Sequence, residues 1–328
     1  MNTLADLFFH LFGLYLDQQI YSINEVIVLS RLSDSILGAI YIFISAFAYA
    51  TQTILGKYAF AAGLNPESLL ILRFAFTSAL LTPYLLLMRI PVIDKSPLVL
   101  IQALLFAVEG IMFFYALSQL SASITIVIFF CHPVLVAIMG SIIFKEKLHL
   151  YFIWGLLLAV SGVTLVSGVA AGLGQLSPLG LLLIIGSALS YTIYSLISQN
   201  IVVKVSPLSI TNTLTLGSLL VLLLLFHDLS FLSALTIKSV ALVLLMTVLN
   251  TLIAVVFFLK GVQKLGAARA TLLGTLEPVL AVLLAFTLLN ESLSPIQFLG
   301  AGLVFLSIFL AVYPSSPKGE KLKKKDCI

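Results

Sequence analysis

Four ionisable side chains lie well inside long apolar stretches of this 328-residue sequence: Arg73, Glu109, His132 and Glu277. An ionised group is costly inside a membrane, so a residue of this kind is by default a candidate for binding or proton transfer. Each also has a structural explanation. Arg73 could extend its head group to the membrane surface, and each glutamic acid could be a protonated carboxyl bonded to a neighbouring helix.

Glu277 and His132 occupy matching positions of an internal repeat, each about ten residues into a stretch of about 20 residues, which places both near a bilayer centre. We therefore expect both groups to exchange protons, and protons are a predicted partner. In this hypothesis Glu277 or Glu109 is protonated in one state and displaced by substrate in the other. The alternative is that Glu277 only stabilises the fold.

Polar side chains also recur at helical spacing along two related apolar stretches. The first stretch carries Ser45, Tyr49, Gln52 and Thr53, and the second carries Ser187, Ser190, Tyr191, Tyr194, Ser195 and Ser198. A third stretch adds Thr247, Asn250 and Thr251. In a bilayer such faces meet a polar cavity or another helix rather than lipid. Helix packing through hydroxyl groups is the structural alternative to a cavity.

The composition identifies the elements that must position these residues. Apolar residues make up 61% of the chain and charged residues 9%, with a formal net charge of +4. The mean hydropathy is +1.20, which leaves too little polar material to cover a soluble globule. Apolar runs such as 219–226 do not alternate in polarity, which argues against a β-barrel. The sequence therefore predicts an all-α integral membrane protein.

Five predicted helix starts share one pattern, in which Asn or Ser directly precedes Pro: 65–66, 96–97, 177–178, 206–207 and 294–295. The polar side chain can cap the first turn, where proline sacrifices no hydrogen bond. These starts and the apolar runs predict ten transmembrane helices, at 37–57, 66–88, 97–117, 122–143, 150–170, 178–198, 207–226, 239–259, 268–289 and 295–313.

The chain repeats itself. His132-Pro133-Val134-Leu135 reappears 145 residues later as Glu277-Pro278-Val279-Leu280, and Gly38, Ser45 and Tyr49 reappear 142 residues later. Pro133 and Pro278 are both predicted helix kinks. We divide the chain into two repeats, 37–170 and 178–313. An interfacial or disordered extension, 1–36, precedes them, and a basic cytoplasmic tail, 314–328, follows them.

The odd number of helices in each repeat predicts that the two copies enter the membrane from opposite sides, as a 5+5 inverted repeat. With both termini in the cytoplasm, only Lys57, Arg73 and Lys238 of the 17 basic residues fall outside the cytoplasmic segments. The equivalent loops also exchange charge between copies, since Lys147 is matched by Ser292 and Gln119 by Lys264. We predict a multi-pass protein of the plasma membrane or inner membrane.

Leu276-Glu277-Pro278-Val279, then Asn290-Glu291 and Gly300, together with Leu72-Arg73-Phe74 in the first copy, strongly resemble the EamA family of the drug/metabolite transporter superfamily. The resemblance covers 37–313 and implies a secondary transporter working by alternating access. It also implies a central cavity lined by helices 1, 3, 4, 6, 8 and 9. His132 stands where a second copy of Glu277 would complete a symmetrical ionisable pair.

The predicted substrate is a small neutral, zwitterionic or cationic metabolite, such as an amino acid, moved by an exporter or exchanger. The residues assigned to substrate binding are Ser45, Tyr49, Gln52, Thr53, Arg73, Glu109, His132, Ser187, Tyr191, Tyr194, Ser195, Asn250 and Glu277. A phosphorylated or nucleotide-linked substrate is the alternative, but it would require several buried basic residues. Besides substrate and protons, the lipid bilayer is the predicted partner, and no nucleic acid is expected.

An intramembrane enzyme and a non-transporting scaffold are the alternatives from other classes. The four histidines are scattered and form no His-Glu-x-x-His motif, so neither a metal site nor a cofactor is predicted. No soluble domain is evident to which a scaffold or sensor could report. The sequence predicts no oligomeric state.

Overall fold

A computed structural model describes residues 34–120, 122–145, 150–166, 177–227, 229–289 and 294–312, and within these ranges the chain is helical without strands. The helices are α1 (Asp34–Ala50 and Gln52–Ala61), α2 (Pro66–Leu87), α3 (Pro97–Gln119), α4 (Ala122–Phe129 and His132–Ile143), α5 (Leu150–Val166), α6 (Pro178–Ile201), α7 (Pro207–Leu225), α8 (Ile237–Met246, Thr247–Ile253 and Ala254–Leu265), α9 (Ala267–Gly274 and Leu276–Leu289) and α10 (Pro295–Val312). A short 3₁₀ helix, Ser230–Ala234, lies between α7 and α8.

The prediction of an all-helical, multi-span membrane protein is confirmed. In the described part of the chain, eight helices are long and apolar enough to cross a membrane, while Leu150–Val166 and Pro295–Leu310 are shorter apolar helices. The predicted spans at 150–170 and 295–313 extend beyond the described residues at their C-terminal ends. The extension before residue 34, the basic tail, Glu146, Lys147 and the 290–293 segment also lie outside the described residues.

All five Asn-Pro and Ser-Pro helix starts are confirmed as the first residues of α2, α3, α6, α7 and α10. Asn65 forms a capping box with Ser68, and the Ser177 hydroxyl accepts a hydrogen bond from the Gly180 amide. Ser96 and Ser206 make no side-chain cap bond. At these two starts only the proline favours the helix start, because its fixed φ suits the first helical position.

α1 is interrupted where one continuous helix was predicted, and α4 and α9 are interrupted beside Pro133 and Pro278, the two predicted kinks. α1 has a turn at Thr51, α4 has turns at 130–131, and α9 has a turn at Thr275. Pro133 and Pro278 lie in the first turn after the breaks in α4 and α9, where a proline lacks only a hydrogen bond that the helix start would not make. In α8 the middle segment, Thr247–Ile253, is a π-helix.

The first helices of the two repeats run in opposite directions through the bundle. End A is the end of the bundle that contains 264–267, and end B is the end that contains 117–120. Near end A, Lys264 Nζ bonds Asp34 Oδ1 at 2.7 Å, and the Ala267 amide donates to Gln199 Oε1 at 2.8 Å. α1 therefore begins at the end where α6 finishes.

The contacts at end B complete this relationship. Lys57, near the C-terminus of α1, donates to the Leu117 carbonyl, and Ser177, before α6, donates to Gln119 Oε1 at 2.7 Å. α1 therefore finishes at the end where α6 begins. The two helices therefore run antiparallel, and repeat-equivalent residues lie at corresponding positions relative to opposite ends of the bundle.

Candidate functional site

A cavity of about 50 Å³ lies in the middle of the bundle, which is room for a few water molecules. Seven helices contribute to its wall: α1, α2, α3, α4, α6, α8 and α9. The lining residues are Ile42, Ser45, Ala46, Tyr49, Gln52, Leu70, Arg73, Phe74, Phe106, Glu109, Gly110, Phe113, Phe114, Phe129, Phe130, His132, Tyr191, Phe258, Thr271, Gly274 and Glu277. The wall includes α2, which the resemblance did not place there.

The structure brings together eight of the residues assigned to substrate binding, including all four buried ionisable groups. The eight that line the cavity are Ser45, Tyr49, Gln52, Arg73, Glu109, His132, Tyr191 and Glu277. The other five, Thr53, Ser187, Tyr194, Ser195 and Asn250, are buried but do not line it. Only part of each polar stripe therefore faces the cavity, because a stripe that is wide around a helix also meets neighbouring helices.

Arg73 is held at the cavity wall by partners on α8. Its Nε donates to Thr251 Oγ1 at 2.6 Å, and its Nη2 donates to the Asn250 carbonyl at 2.8 Å. The guanidinium carbon lies 5.9 Å from the ring centroids of both Phe74 and Phe114. Within the described residues no carboxylate is within ion-pair distance of it. A guanidinium has five N–H donors, so three remain for a ligand or water.

Glu109 and Glu277 are the two carboxyl groups of the cavity wall, on α3 and α9. No basic side chain of the described part lies within ion-pair distance of either one. The Ser187 hydroxyl donates to the backbone carbonyl of Glu109 at 3.2 Å, so Ser187 holds the backbone beside this carboxyl rather than touching the cavity. The cavity therefore combines one guanidinium with two carboxyl groups, and neither carboxyl forms an ion pair with a described basic side chain.

An aromatic cluster surrounds His132. Its ring lies 4.6 Å from the centroid of Tyr191, 4.9 Å from Phe129 and 5.3 Å from Phe130. His132 Nδ1 is 2.9 Å from the Phe129 carbonyl. Because a carbonyl can only accept, Nδ1 must carry a proton in this contact, and Nε2 is the nitrogen available as an acceptor in the neutral ring.

Sequence analysis missed the phenylalanines of the wall. They come from four helices: Phe74, Phe106, Phe113, Phe114, Phe129, Phe130 and Phe258. In a chain with 23 phenylalanines and mostly apolar spans, these positions have no contrast with lipid-facing ones. Phe74 and Phe130 are the two with a sequence signal, because Phe74 directly follows Arg73 and Phe130 lies two residues before His132.

The polar residues that miss the cavity hold the helices around it. Gln102 Nε2 donates to the Tyr194 carbonyl at 3.1 Å and to Ser198 Oγ at 2.7 Å, which ties α3 to α6. Asn250 Nδ2 donates to the Ala48 carbonyl at 2.7 Å and to Thr51 Oγ1 at 2.9 Å, at the break in α1. These contacts are the helix packing that the sequence analysis considered as its structural alternative.

Gln52 presents an unused acceptor beside the cavity. Its Oε1 is buried and has no hydrogen-bond partner, whereas most buried side-chain acceptors have one. The residue lines the cavity one position after the turn in α1. A donor group of a ligand or a water would satisfy this oxygen. The described residues hold no group of three His, Cys, Asp or Glu side chains suited to a metal ion.

A bundle of apolar spans around a cavity that holds buried ionisable groups is the architecture of a membrane transport protein. Comparison with known proteins identifies the family. A sequence model of the EamA-like transporter family matches residues 36–168 and again 178–313. The chain belongs to this family and consists of two copies of its repeat, as the resemblance implied.

The relatives are also transporters by name. The uncharacterized transporter YcbK of Bacillus subtilis is 23% identical over 306 residues, covering 89% of this chain and 98% of the relative. The uncharacterized transporter sll1319 of Synechocystis is 30% identical over 212 residues, 62% of each chain. One solved crystal structure aligns with a TM-score of 0.70 at 17% identity, covering 84% of this chain and 96% of the other. That structure supports the fold.

Proposed function

We propose that this membrane transporter moves a small neutral, zwitterionic or cationic organic metabolite by alternating access, as an exporter or exchanger. The observation that carries the proposal is the central cavity where Arg73, Glu109 and Glu277 meet an aromatic wall. Charged groups at this depth need a partner, and the described part of the chain offers none of them an ion pair. A ligand with its own donors and acceptors would supply the partners that these groups lack.

The charge balance of the wall supports the proposed substrate class. Arg73 is the sole arginine or lysine among the lining residues, which also include two carboxyl groups. A phosphate or diphosphate would require several charge-assisted donors in this low dielectric. A zwitterion instead finds a guanidinium for its carboxylate and a carboxyl for its ammonium group, and the phenylalanines provide contact for an apolar portion.

We propose ten spans in a 5+5 inverted repeat, with end A at the cytoplasm. The opposite directions of α1 and α6 support the inversion. Lys264 belongs to end A, and Lys204 follows α6 at the same end, in keeping with the preference of basic residues for the cytoplasmic side. The five spans of each repeat then require α5 and α10 to cross as well.

The small volume supports alternating access rather than an open channel. A cavity of about 50 Å³ is smaller than a typical binding site for an organic metabolite, so binding must widen it. The breaks in α1, α4 and α9 lie beside the lining residues Gln52, His132 and Glu277. Segments on either side of these breaks can change their angle without rupturing a continuous helix.

Protons are the proposed coupling ion, with Glu277 or Glu109 as the exchanging group. A protonated carboxyl in this wall is neutral, and binding of a cationic substrate group can displace its proton. Export of the substrate would then be exchanged for proton entry. Glu277 lies in the first turn after the break in α9. A change in its protonation can therefore alter the orientation of the segment Leu276–Leu289 relative to the segment before the break.

Transport by the purified protein in lipid vesicles tests the proposal. Vesicles are loaded with labelled neutral, zwitterionic, cationic and phosphorylated compounds of similar size, and efflux is followed with and without a pH gradient. We expect saturable efflux of a zwitterionic or cationic compound, faster with acidic medium outside. Selective movement of phosphorylated compounds would overturn the substrate class, and no selective movement of any compound would overturn the function.

A further inference from the structure

We infer that Lys57 and Gln199 are the two gate residues of this transporter, each holding one end of the bundle closed by a contact to the junction between the third and fourth helices of its own repeat. The inference rests on the proposed function and deepens it. The two junctions are 117–120 at end B and 264–267 at end A.

At end B, Lys57 Nζ reaches the C-terminus of α3. It donates to the Leu117 carbonyl and to the Leu120 carbonyl, the latter at 3.2 Å. The last carbonyls of a helix have no partner inside the helix, and a lysine is a favourable one because it also opposes the negative end of the helix dipole. Lys57 lies on Gln52–Ala61, the segment of α1 that follows the break at Thr51.

At end A, Gln199 makes the corresponding contact with opposite polarity. Its Oε1 accepts a hydrogen bond of 2.8 Å from the Ala267 amide, the first residue of α9. The first amides of a helix likewise lack partners inside the helix. The side chain of a first-helix residue thus satisfies a helix terminus at the junction in both repeats.

The two contacts are related by the internal repeat. Gln199 lies 142 residues after Lys57, the same displacement that relates Gly38 to Gly180 and Tyr49 to Tyr191. The packing beside each contact follows the same symmetry. A Cβ on Gly38 would lie 2.6 Å from Leu265 Cγ, and a Cβ on Gly180 would lie 2.8 Å from Leu120 Cγ. Each end therefore holds one gate residue, one close glycine and one junction.

Each junction leads into a short segment that ends beside the cavity. Ala122–Phe129 of α4 and Ala267–Gly274 of α9 are each 8 residues long and are followed by the turns at 130–131 and at Thr275. Phe129 and Gly274, the last residues of the two segments, line the cavity. A ligand that widens the cavity at these residues can therefore move the segment and strain the gate contact at its far end.

In the described structure both contacts are made, and the cavity between them is small. Alternating access requires that one contact opens while the other holds. Release of Lys57 opens end B, where the turn at Thr51 lets the end of α1 swing away. Release of Gln199 opens end A, where α6 has no break and α9 supplies the turn. If the two residues were only helix caps, their loss would lower stability without favouring either side.

Accessibility of a cavity cysteine distinguishes gates from caps without requiring a known substrate. Cys131 and Cys327 are replaced by Ser, and Ala46→Cys supplies a reporter on the cavity wall. Vesicles of defined orientation receive a membrane-impermeant maleimide on one face at a time. Lys57→Met should raise the labelling rate from end B, and Gln199→Leu from end A, each by about fivefold to tenfold, as expected when losing one or two hydrogen bonds biases a two-state equilibrium.

Matched variants separate gating from general loosening. Lys57→Arg keeps the donor and Gln199→Glu keeps the acceptor, so both should label at the parent rate. Lys260→Met removes a lysine that stacks on Tyr41 and Phe257, and Gln297→Leu removes a bond to the Val166 carbonyl. These two variants should leave the labelling rate unchanged from either face. If Lys57→Met does not insert, Lys57→Ala, which also lacks a donor, replaces it.

Equal labelling from both faces in either gate variant, or no increase at all, would overturn the gates. An increase at the opposite face would do the same. The proposed function fails separately, through the transport measurement. A protein that exports a zwitterion but shows no one-sided labelling retains its function without these gates. One-sided labelling with no selective movement of any compound retains the gates and rejects the proposed function.

Discussion

The Nε atom of Arg73 in α2 donates a hydrogen bond of 2.6 Å to the hydroxyl of Thr251 in α8. The two residues belong to different repeats and are 178 positions apart. Thr251 lies in the π-helical turn Thr247–Ile253, whose Asn250 carbonyl accepts the second Arg73 bond. π-helical turns often accompany functional sites, because they displace backbone groups from the regular ladder. Here the displaced segment holds a buried cation at the cavity wall.

Replacing Arg73 with Lys is expected to impair recognition of a substrate carboxylate. A lysine keeps the charge but not the planar fork that can bind Thr251, Asn250 and a carboxylate together. Transport of a zwitterionic substrate should fall about tenfold or more, whereas its uncharged amide analogue should be affected less. Competition by the two compounds measures the difference. Arg89→Lys, in the turn after α2, is the control. Equal losses for both compounds would contradict a carboxylate contact at Arg73.

Tyr49→Ala and Tyr191→Ala are expected to reduce transport while membrane insertion is preserved. Both rings line the cavity, and Tyr191 packs 4.6 Å from His132, so their loss removes the aromatic wall on two sides. A reduction of about tenfold is expected for each, as for a buried aromatic contact. Tyr58→Ala, whose side chain is 44% exposed on the same helix as Tyr49, is the control. Wild-type transport rates in both cavity variants would indicate that the polar stripes serve only for helix packing.

Glu277→Gln is expected to separate substrate exchange from proton coupling. The amide keeps the size and hydrogen-bonding capacity of a neutral carboxyl but cannot release a proton. Exchange of internal for external substrate should survive, and accumulation driven by a pH gradient should disappear. Glu109→Gln is tested in parallel, with Glu67→Gln as the control because Glu67 accepts a bond from Tyr115 away from the cavity. Normal accumulation in both cavity variants would reject coupling through these carboxyls.

Gly300→Ala is expected to destabilise the contact between α5 and α10. A Cβ at Gly300 would lie 2.6 Å from the Val166 amide nitrogen and 2.7 Å from the Gly162 carbonyl oxygen, so the two backbones must move apart. A cost of about 1–3 kcal/mol is typical of such overpacking. Thermal unfolding in detergent measures it. Gly302→Ala on the same helix has no atom within 4 Å of its Cβ and should unfold like the parent. Equal midpoints would indicate that the pair is loosely packed.

Single cysteines at Ser118 and Lys204 are expected to be labelled from opposite sides of the membrane. Ser118 is an exposed residue at end B, and Lys204 is an exposed residue that follows α6 at end A. With end A cytoplasmic, an impermeant thiol reagent should label Ser118→Cys in intact cells and Lys204→Cys only after permeabilisation. The reverse pattern would invert the orientation. Labelling of both in intact cells would contradict the arrangement of the ends.

The architecture was largely predictable from the sequence, because it depends on local interactions. A span is defined by an uninterrupted apolar run, and a start such as Asn65-Pro66 is defined by neighbouring residues that satisfy or lack their own backbone bonds. The repeat appears as displacements of 142 and 145 residues between equivalent residues. The break at Thr51 was not predicted, because no proline or glycine marks it, whereas the breaks in α4 and α9 lie beside Pro133 and Pro278, where kinks were predicted.

All four ionisable members of the candidate site were identified from the sequence, together with Ser45, Tyr49, Gln52 and Tyr191 among its polar members. Arg73, Glu109, His132 and Glu277 were identified because a charge in an apolar span is conspicuous, and the structure places all four at one cavity. Which hydroxyl groups and aromatic rings join them depended on how the helices rotate and cross. Tyr191 lines the cavity, whereas the Asn250 amide bonds α1 and the Tyr194 ring packs against Phe106 and Phe258. That choice belongs to the tertiary structure, because in a bilayer polar and apolar side chains alike can be buried between helices, and only the packing of distant segments determines which buried face encloses a cavity.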